Sequence, residues 1–154
     1  ASNMQQRIAD PPDVSGWKAY YQEPIFYEVW INSDTLPRRI QFSDTMILTG
    51  YTLSGFQMII NATEWVKKFS QPGDPNQLIN ELTKRLLRID ISATSKQQLK
   101  RDILLGGQSD DKYWTDAWNL FLSTPGNTSN TNTVKNRMRD LTKYIMNLPE
   151  YQLS

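Results

Sequence analysis

The chain has 154 residues, 38% of them hydrophobic and 21% charged, and Lys+Arg 17 against Asp+Glu 16 leaves a formal net charge of +1. That length suits one domain burying about 70% of the surface its unfolded form exposes. The balanced charge offers no basic stripe for a duplex, which argues against nucleic acid as a partner.

With no Cys and no His, thiolate and imidazole chemistry, disulfides and the usual zinc ligands are excluded. No spaced set of Asp and Glu replaces them, so neither a metal nor another cofactor is expected. No apolar run approaches the ~18 residues that span a bilayer.

The abrupt opening Ala1-Ser2-Asn3-Met4 predicts a piece of a longer polypeptide, with residues 1–9 the end of a preceding helix or a cloning remnant. Residues 10–39 organise the rest of the chain. Pro11 and Pro12 fix φ and deny a helix, and Gly16 permits a turn. Trp17 and Trp30 bring large burial area, so Trp17 is expected to anchor the turn in the core. Residues 24–31 set Phe26, Tyr27 and Trp30 at three- and four-residue spacing, a short helix or an irregular packed segment.

Ser33 or Asp34 is a candidate N-cap for the next helix, with Pro37 in its first turn. Ile40, Phe42, Met46 and Ile47 form its buried side and Gly50 ends it. Residues 56–60 are strand-like but have no evident partner, so residues 51–60 are read as an extended connector. Asn61 or Thr63 caps a short helix carrying Trp65, Val66 and Phe69, which Gln71-Pro72-Gly73-Asp74-Pro75 breaks. Leu78, Ile79, Leu82, Leu86 and Ile89 then mark an amphipathic helix with Glu81 and Arg85 paired outside.

Thr94 or Ser95 starts another helix, with Leu99, Ile103 and Leu104 inward and Gly106-Gly107 stopping it. Ser109 opens the next, with Asp110 and Asp111 at the positive end of its dipole. Its apolar face comprises Tyr113, Trp114, Ala117, Trp118, Phe121 and Leu122. Residues 127–133 read as a polar surface loop. Val134, Met138, Leu141, Ile145 and Leu148 form the clearest helical stripe of the chain, interrupted by Pro149, with one more turn at residues 150–153.

Few groups offer chemistry. Ser109-Asp110-Asp111-Lys112 matches Ser-x-x-Lys, yet its companion motifs are absent and the serine sits where a cap belongs. Asp10 with Asp13, and Glu23 with Glu28, could supply a carboxylate pair; turn stabilisation and surface solvation explain them more simply. Tyr20, Tyr21, Phe26, Tyr27 and Trp30 could form an aromatic platform for sugar rings or a protein, although aromatics at helical spacing more often build core. Arg38-Arg39 could grip an anion bidentately, against a plainer pairing of Asp34 with Arg38. Asp74-Pro75-Asn76 lacks the other ligands of a calcium loop. Asn61-Ala62-Thr63 and Asn127-Thr128-Ser129 match glycosylation sequons.

Pro11-Pro12-Asp13-Val14-Ser15-Gly16-Trp17, with Trp30-Ile31-Asn32-Ser33, Leu36 and Arg38-Arg39, resembles the pattern of a widespread bacterial family, domain of unknown function 1800. Leu148-Pro149-Glu150-Tyr151-Gln152 resembles that family's closing Pro-Glu-Tyr/Phe-Gln. The link between the two tryptophans, Lys18 to Val29, is longer and more aromatic than in many members. The resemblance implies the C-terminal portion of a mostly helical protein, often exported to the periplasm or cell surface, and transfers no catalytic residue.

The expectation is therefore a single all-α domain over residues 1–154, an irregular bundle of about five to seven helices behind a Pro/Gly/Trp-rich non-helical segment. The expected role is a structural or interaction module of a larger exported bacterial protein, with Tyr20, Tyr21, Phe26, Tyr27 and Trp30 as contact surface. Its partner would be the remainder of its own longer chain, another exported protein or a polysaccharide. The alternative is part of a hydrolase-like or glycan-handling protein whose site is shared with a preceding portion.

Overall fold

Seven α helices, one π-helical turn and a two-stranded hairpin make up residues 33–152, the part of the chain that the computed structural model describes. Trp17 and the Pro/Gly/Trp-rich segment lie outside it. The protein is mainly α, as the periodicities predict.

Helix α1 (Thr35–Leu48) buries Thr35, Ser43 and Ile47, with Ile40, Phe42 and Met46 half-buried. Its N-cap is Asp34, whose side chain makes no capping bond; the carboxylate accepts from Arg38 Nε and Nη2, both at 3.3 Å. Gly50 ends the helix at φ +79 and donates to Thr45 C=O at 2.7 Å. A Cβ there would lie 2.9 Å from Met58 C=O, so both conformation and space require glycine.

The expected connector is instead a hairpin. β1 (Tyr51–Leu53) pairs antiparallel with β2 (Phe56–Met58), Leu53 opposite Phe56. The two turn residues, Ser54 at φ +51 and Gly55 at φ +82, have the left-handed signs of a tight hairpin turn. The partner strand is the adjacent Tyr-Thr-Leu, too short to show alternation. Ile60 N–H returns to Met46 C=O at 2.8 Å and satisfies an α1 carbonyl.

Asn61 caps α2 (Ala62–Val66) by accepting from Glu64 N–H. Asp74 caps α3 (Pro75–Leu86) by accepting from the N–H groups of Asn76 and Gln77, with Pro75 in the first turn where a missing donor costs nothing. Leu78, Ile79 and Leu82 are buried, and Glu81 pairs with Arg85 at 2.7 Å. Ile89 does not extend that face: Leu87 turns the chain extended and Ile89 is exposed.

Ser92, two residues earlier than expected, caps α4 (Ala93–Gln98) by accepting from Ser95 N–H. The chain then widens into a π helix (Leu99–Leu104), where Leu105 N–H reaches Lys100 C=O at 2.8 Å. The extra residue lets the adjacent Leu104 and Leu105 both be buried. Gly106 and Gly107, both at positive φ, end it as expected.

Helix α5 (Lys112–Ser123) buries Trp114, Trp118 and Phe121. Tyr113 and Leu122, expected on that face, are about half exposed because the packed face is narrower than the run of apolar residues. Ser109 caps nothing; Asp110 accepts from Lys112 N–H at 2.9 Å.

Helix α6 (Thr128–Asn147) begins inside the stretch expected to be loop, with Asn127 accepting from Asn130 N–H. Its stripe of Val134, Met138, Leu141 and Ile145 is fully buried, and it packs on α1, α2, α3, α5 and the π helix. The last turn, α7 (Pro149–Gln152), folds back on α6 and α1. There Arg39 Nη2 donates to Gln152 C=O at 3.0 Å, while Gln152 Nε2 donates to Met146 C=O at 2.7 Å.

Trp114 joins two parts of this core, since its ring is buried and Nε1–H donates to Pro72 C=O at 2.8 Å. Trp114→Ala should destabilise the fold by about 3–5 kcal/mol. The check is a fall in the urea unfolding midpoint at unchanged slope; a midpoint equal to the parent's would contradict the core assigned to it.

Candidate functional site

Tyr20, Tyr21, Phe26, Tyr27 and Trp30, the contact surface expected from sequence, lie outside the described residues, as do Asp10, Asp13, Glu23 and Glu28. Ser109 and Lys112 share no hydrogen bond or ion pair, so the Ser-x-x-Lys spacing assembles no nucleophile. Arg38 and Arg39 part company: Arg38 pairs with Asp34 as expected, whereas Arg39 Nε donates to Gln152 Oε1 at 3.3 Å. Asn61 and Asn127, the sequon asparagines, spend their side-chain oxygens as helix caps, and Thr63 is buried. Among the described residues no group of three His, Cys, Asp or Glu could hold a metal ion. No helix among them is long and apolar enough to cross a membrane.

The concavity with the most functional character is a trough between the α4–π face and α6–α7. Its first hollow, about 330 Å³, is lined by Ile91, Leu99, Ile103, Tyr144 and Leu148, with Ser95, Gln98, Asp102 and Glu150. A second, about 480 Å³, shares Ile103, Tyr144 and Leu148 and adds Asp140, Lys143 and Asn147. One wall comes from residues 95, 98, 99, 102 and 103, three and four apart on a helical face. The other is the stripe 140, 143, 144 and 147 of α6, continued by Leu148 just after it.

The charges of this trough are unequally engaged. Arg101 Nε lies 2.7 Å from Asp102 Oδ1 and lowers that carboxyl's pKa. Lys143 Nζ lies 3.2 Å from Asp44 Oδ2 of α1, and Asn147 Nδ2 donates to Asp44 Oδ1 at 3.1 Å. Asp140 and Glu150 form no ion pair among the described residues. Asn147 Oδ1, shielded from solvent, accepts no hydrogen bond.

A second polar cluster is structural. Lys100 Nζ, its side chain 13% exposed, donates to Asp111 Oδ1 at 3.0 Å and Asn76 Oδ1 at 2.8 Å. Asn76 Nδ2 closes the triangle on Asp111 Oδ2 at 2.8 Å. It fastens the start of α3 to the π helix and the start of α5. Burial of Asp111 opposes ionisation, but the bonds from Lys100 and Asn76 outweigh it and hold its pKa below the usual value.

The hairpin is the remaining unusual surface. Leu53, Phe56, Met58 and the adjoining Ile59 are exposed, Phe56 by 78%. No charged residue lies between Asp44 and Glu64. That uncharged stretch is the sequence signal that could have found it. Tyr144, Asp140 and Glu150 had no such signal, because the trough joins residues some forty positions apart.

These features describe a mainly helical protein with an exposed apolar hairpin and an open trough among the described residues. The family model described as Protein of unknown function (DUF1800) matches residues 1–153, so the chain belongs to the DUF1800 family. No curated protein and no solved structure matches it.

The Lys100 triangle carries a pH signature. A depressed carboxyl pKa gives stability that is complete above the ordinary aspartate value of 3.8 and is lost as pH falls through the depressed value. Asp111→Asn should lower the urea midpoint at pH 7, by about 1 kcal/mol or less since the pair is partly solvated. The difference from the parent should shrink as pH is taken to about 2. A pH-independent difference would show that charge plays no part.

Proposed function

We propose that this chain is a structural and interaction module of a larger exported bacterial protein rather than a self-sufficient enzyme. The observation that carries this reading is the hairpin. Leu53, Phe56, Met58 and Ile59 stand exposed on a ribbon of two short strands, Phe56 by 78%. Exposed edges usually carry a charged residue such as Lys, or a Pro, that blocks pairing, and residues 51–58 have neither. A ribbon of that composition has reason to persist where another surface covers it. The occupant we assign is another part of the same longer polypeptide, as the family resemblance implies for the C-terminal portion of a larger protein.

The test is a photo-crosslinking amino acid at position 56 of the protein in its native host, with position 89, another exposed apolar site, as control. Crosslinks from position 56 to another region of the same polypeptide are expected. Only solvent-quenched product at position 56 would overturn the reading, as would hydrolase turnover by this chain alone. Phe56→Ser should change the stability of the chain by no more than about 0.5 kcal/mol, as expected for an exposed position. A larger loss in chemical denaturation would make the ring part of the fold instead of a contact.

A further inference from the structure

The trough between the π helix and α6–α7 is a different surface from the hairpin, and its chemistry selects a different occupant. We propose that it is a docking groove for a basic amphipathic peptide segment of a partner protein, which seats Lys or Arg stems on Ile103, Tyr144 and Leu148 and their cationic heads at Asp140 and Glu150.

Charge complementarity is the first argument. Of the ionic groups lining the trough, Asp102 is neutralised by Arg101 and Lys143 by Asp44. Asp140 in one hollow and Glu150 in the other are left uncompensated among the described residues. The carboxylates therefore present net negative charge at two separate places.

The lining between them is the second. Ile103, Tyr144 and Leu148 are common to both hollows, and Tyr144 is half exposed with no ring partner among the described residues. Aliphatic stems of Lys and Arg cover such surface while their heads stay hydrated. A guanidinium or ammonium over the Tyr144 ring gains cation–π attraction as well.

Length separates a peptide from a small amine. From Asp140 to Asn147 the α6 wall rises seven residues, about 10 Å. An extended peptide covers that in three to four residues. Cations spaced along one strand can thus contact both hollows at once, which a compact monoamine cannot do.

The probe is the fluorescein-labelled hexapeptide Lys-Leu-Thr-Leu-Arg-Leu, titrated by anisotropy against the purified protein. Saturable binding with Kd below about 1 mM at low salt is expected, weakening about threefold or more on going from 50 to 300 mM salt. Asp140→Asn combined with Glu150→Gln should weaken it at least about tenfold, and Tyr144→Ala about fivefold. All three side chains are exposed or partly so, and unchanged circular dichroism verifies that each variant folds. Lack of saturable binding to about 1 mM overturns the proposal. So does equal binding by the double variant, or by a peptide with norleucine in place of both cations. Agmatine competing as strongly as the peptide would assign the trough to small amines instead. Hairpin substitutions should leave this titration unchanged, so the two surfaces fail or succeed separately.

Discussion

The burial of one face of α6 is the constraint on which the rest of the structure depends. Val134, Met138, Leu141 and Ile145 are each fully buried along a 20-residue helix. A face that long cannot be covered by one neighbour, so α1, α2, α3, α5 and the π helix share it. Arginines of α6 then satisfy the helix ends that this crowding covers. Arg139 Nη2 donates to Leu48 C=O at the end of α1 at 2.9 Å, and Arg137 Nη1 donates to Leu104 C=O at the end of the π helix at 3.2 Å. A guanidinium suits both tasks: it fills orphan carbonyl acceptors and places positive charge at the negative end of a helix. The same helix that supplies the apolar face therefore also satisfies end carbonyls of two of the helices packed on it.

What the sequence made legible was local. Asn61 declares a helix start through backbone chemistry confined to three residues; Asp74 and Pro75, legible as breakers of the preceding helix, also cap and open the next one. Gly50 and Gly106-Gly107 declare ends in the same way. The α6 stripe was readable because its buried positions keep one helical period over most of its length. Legibility failed where the deciding partner was distant. Thr128 to Thr133 is polar enough to read as loop, and it is helical because the Asn127 cap extends a helix nucleated by the stripe beyond it. Ile89, Tyr113 and Leu122 look like core by composition, yet the packed faces do not reach them. The π turn coincides with two consecutive buried leucines, Leu104 and Leu105, a pairing the helical period does not encode.

The candidate surfaces divide along the same line. The hairpin left a trace in the sequence, an uncharged span between Asp44 and Glu64, although the strand pairing that explains it was missed. The trough left none. Glu150 belongs to the closing motif that marked the family resemblance, and only its position beside Leu99 and Tyr144 makes it part of a wall. Motif recognition reports that a residue recurs; it says nothing of which surface that residue faces.

The helix carrying the hairpin also sets the charge of the trough. Lys143 stands three residues from Asp140 on α6, a spacing at which the two could pair and cancel. Asp44 of α1 draws Lys143 away instead, at 3.2 Å, and holds Asn147 beside it. Without α1 in place, the second hollow would balance its own charge and lose its preference for a cation. The negative character of the trough is thus a tertiary property, produced by packing two helices and absent from either one alone. By linkage, any displacement of α1 that released Lys143 would weaken cation binding, and a bound cation would in turn favour the position of α1 seen here.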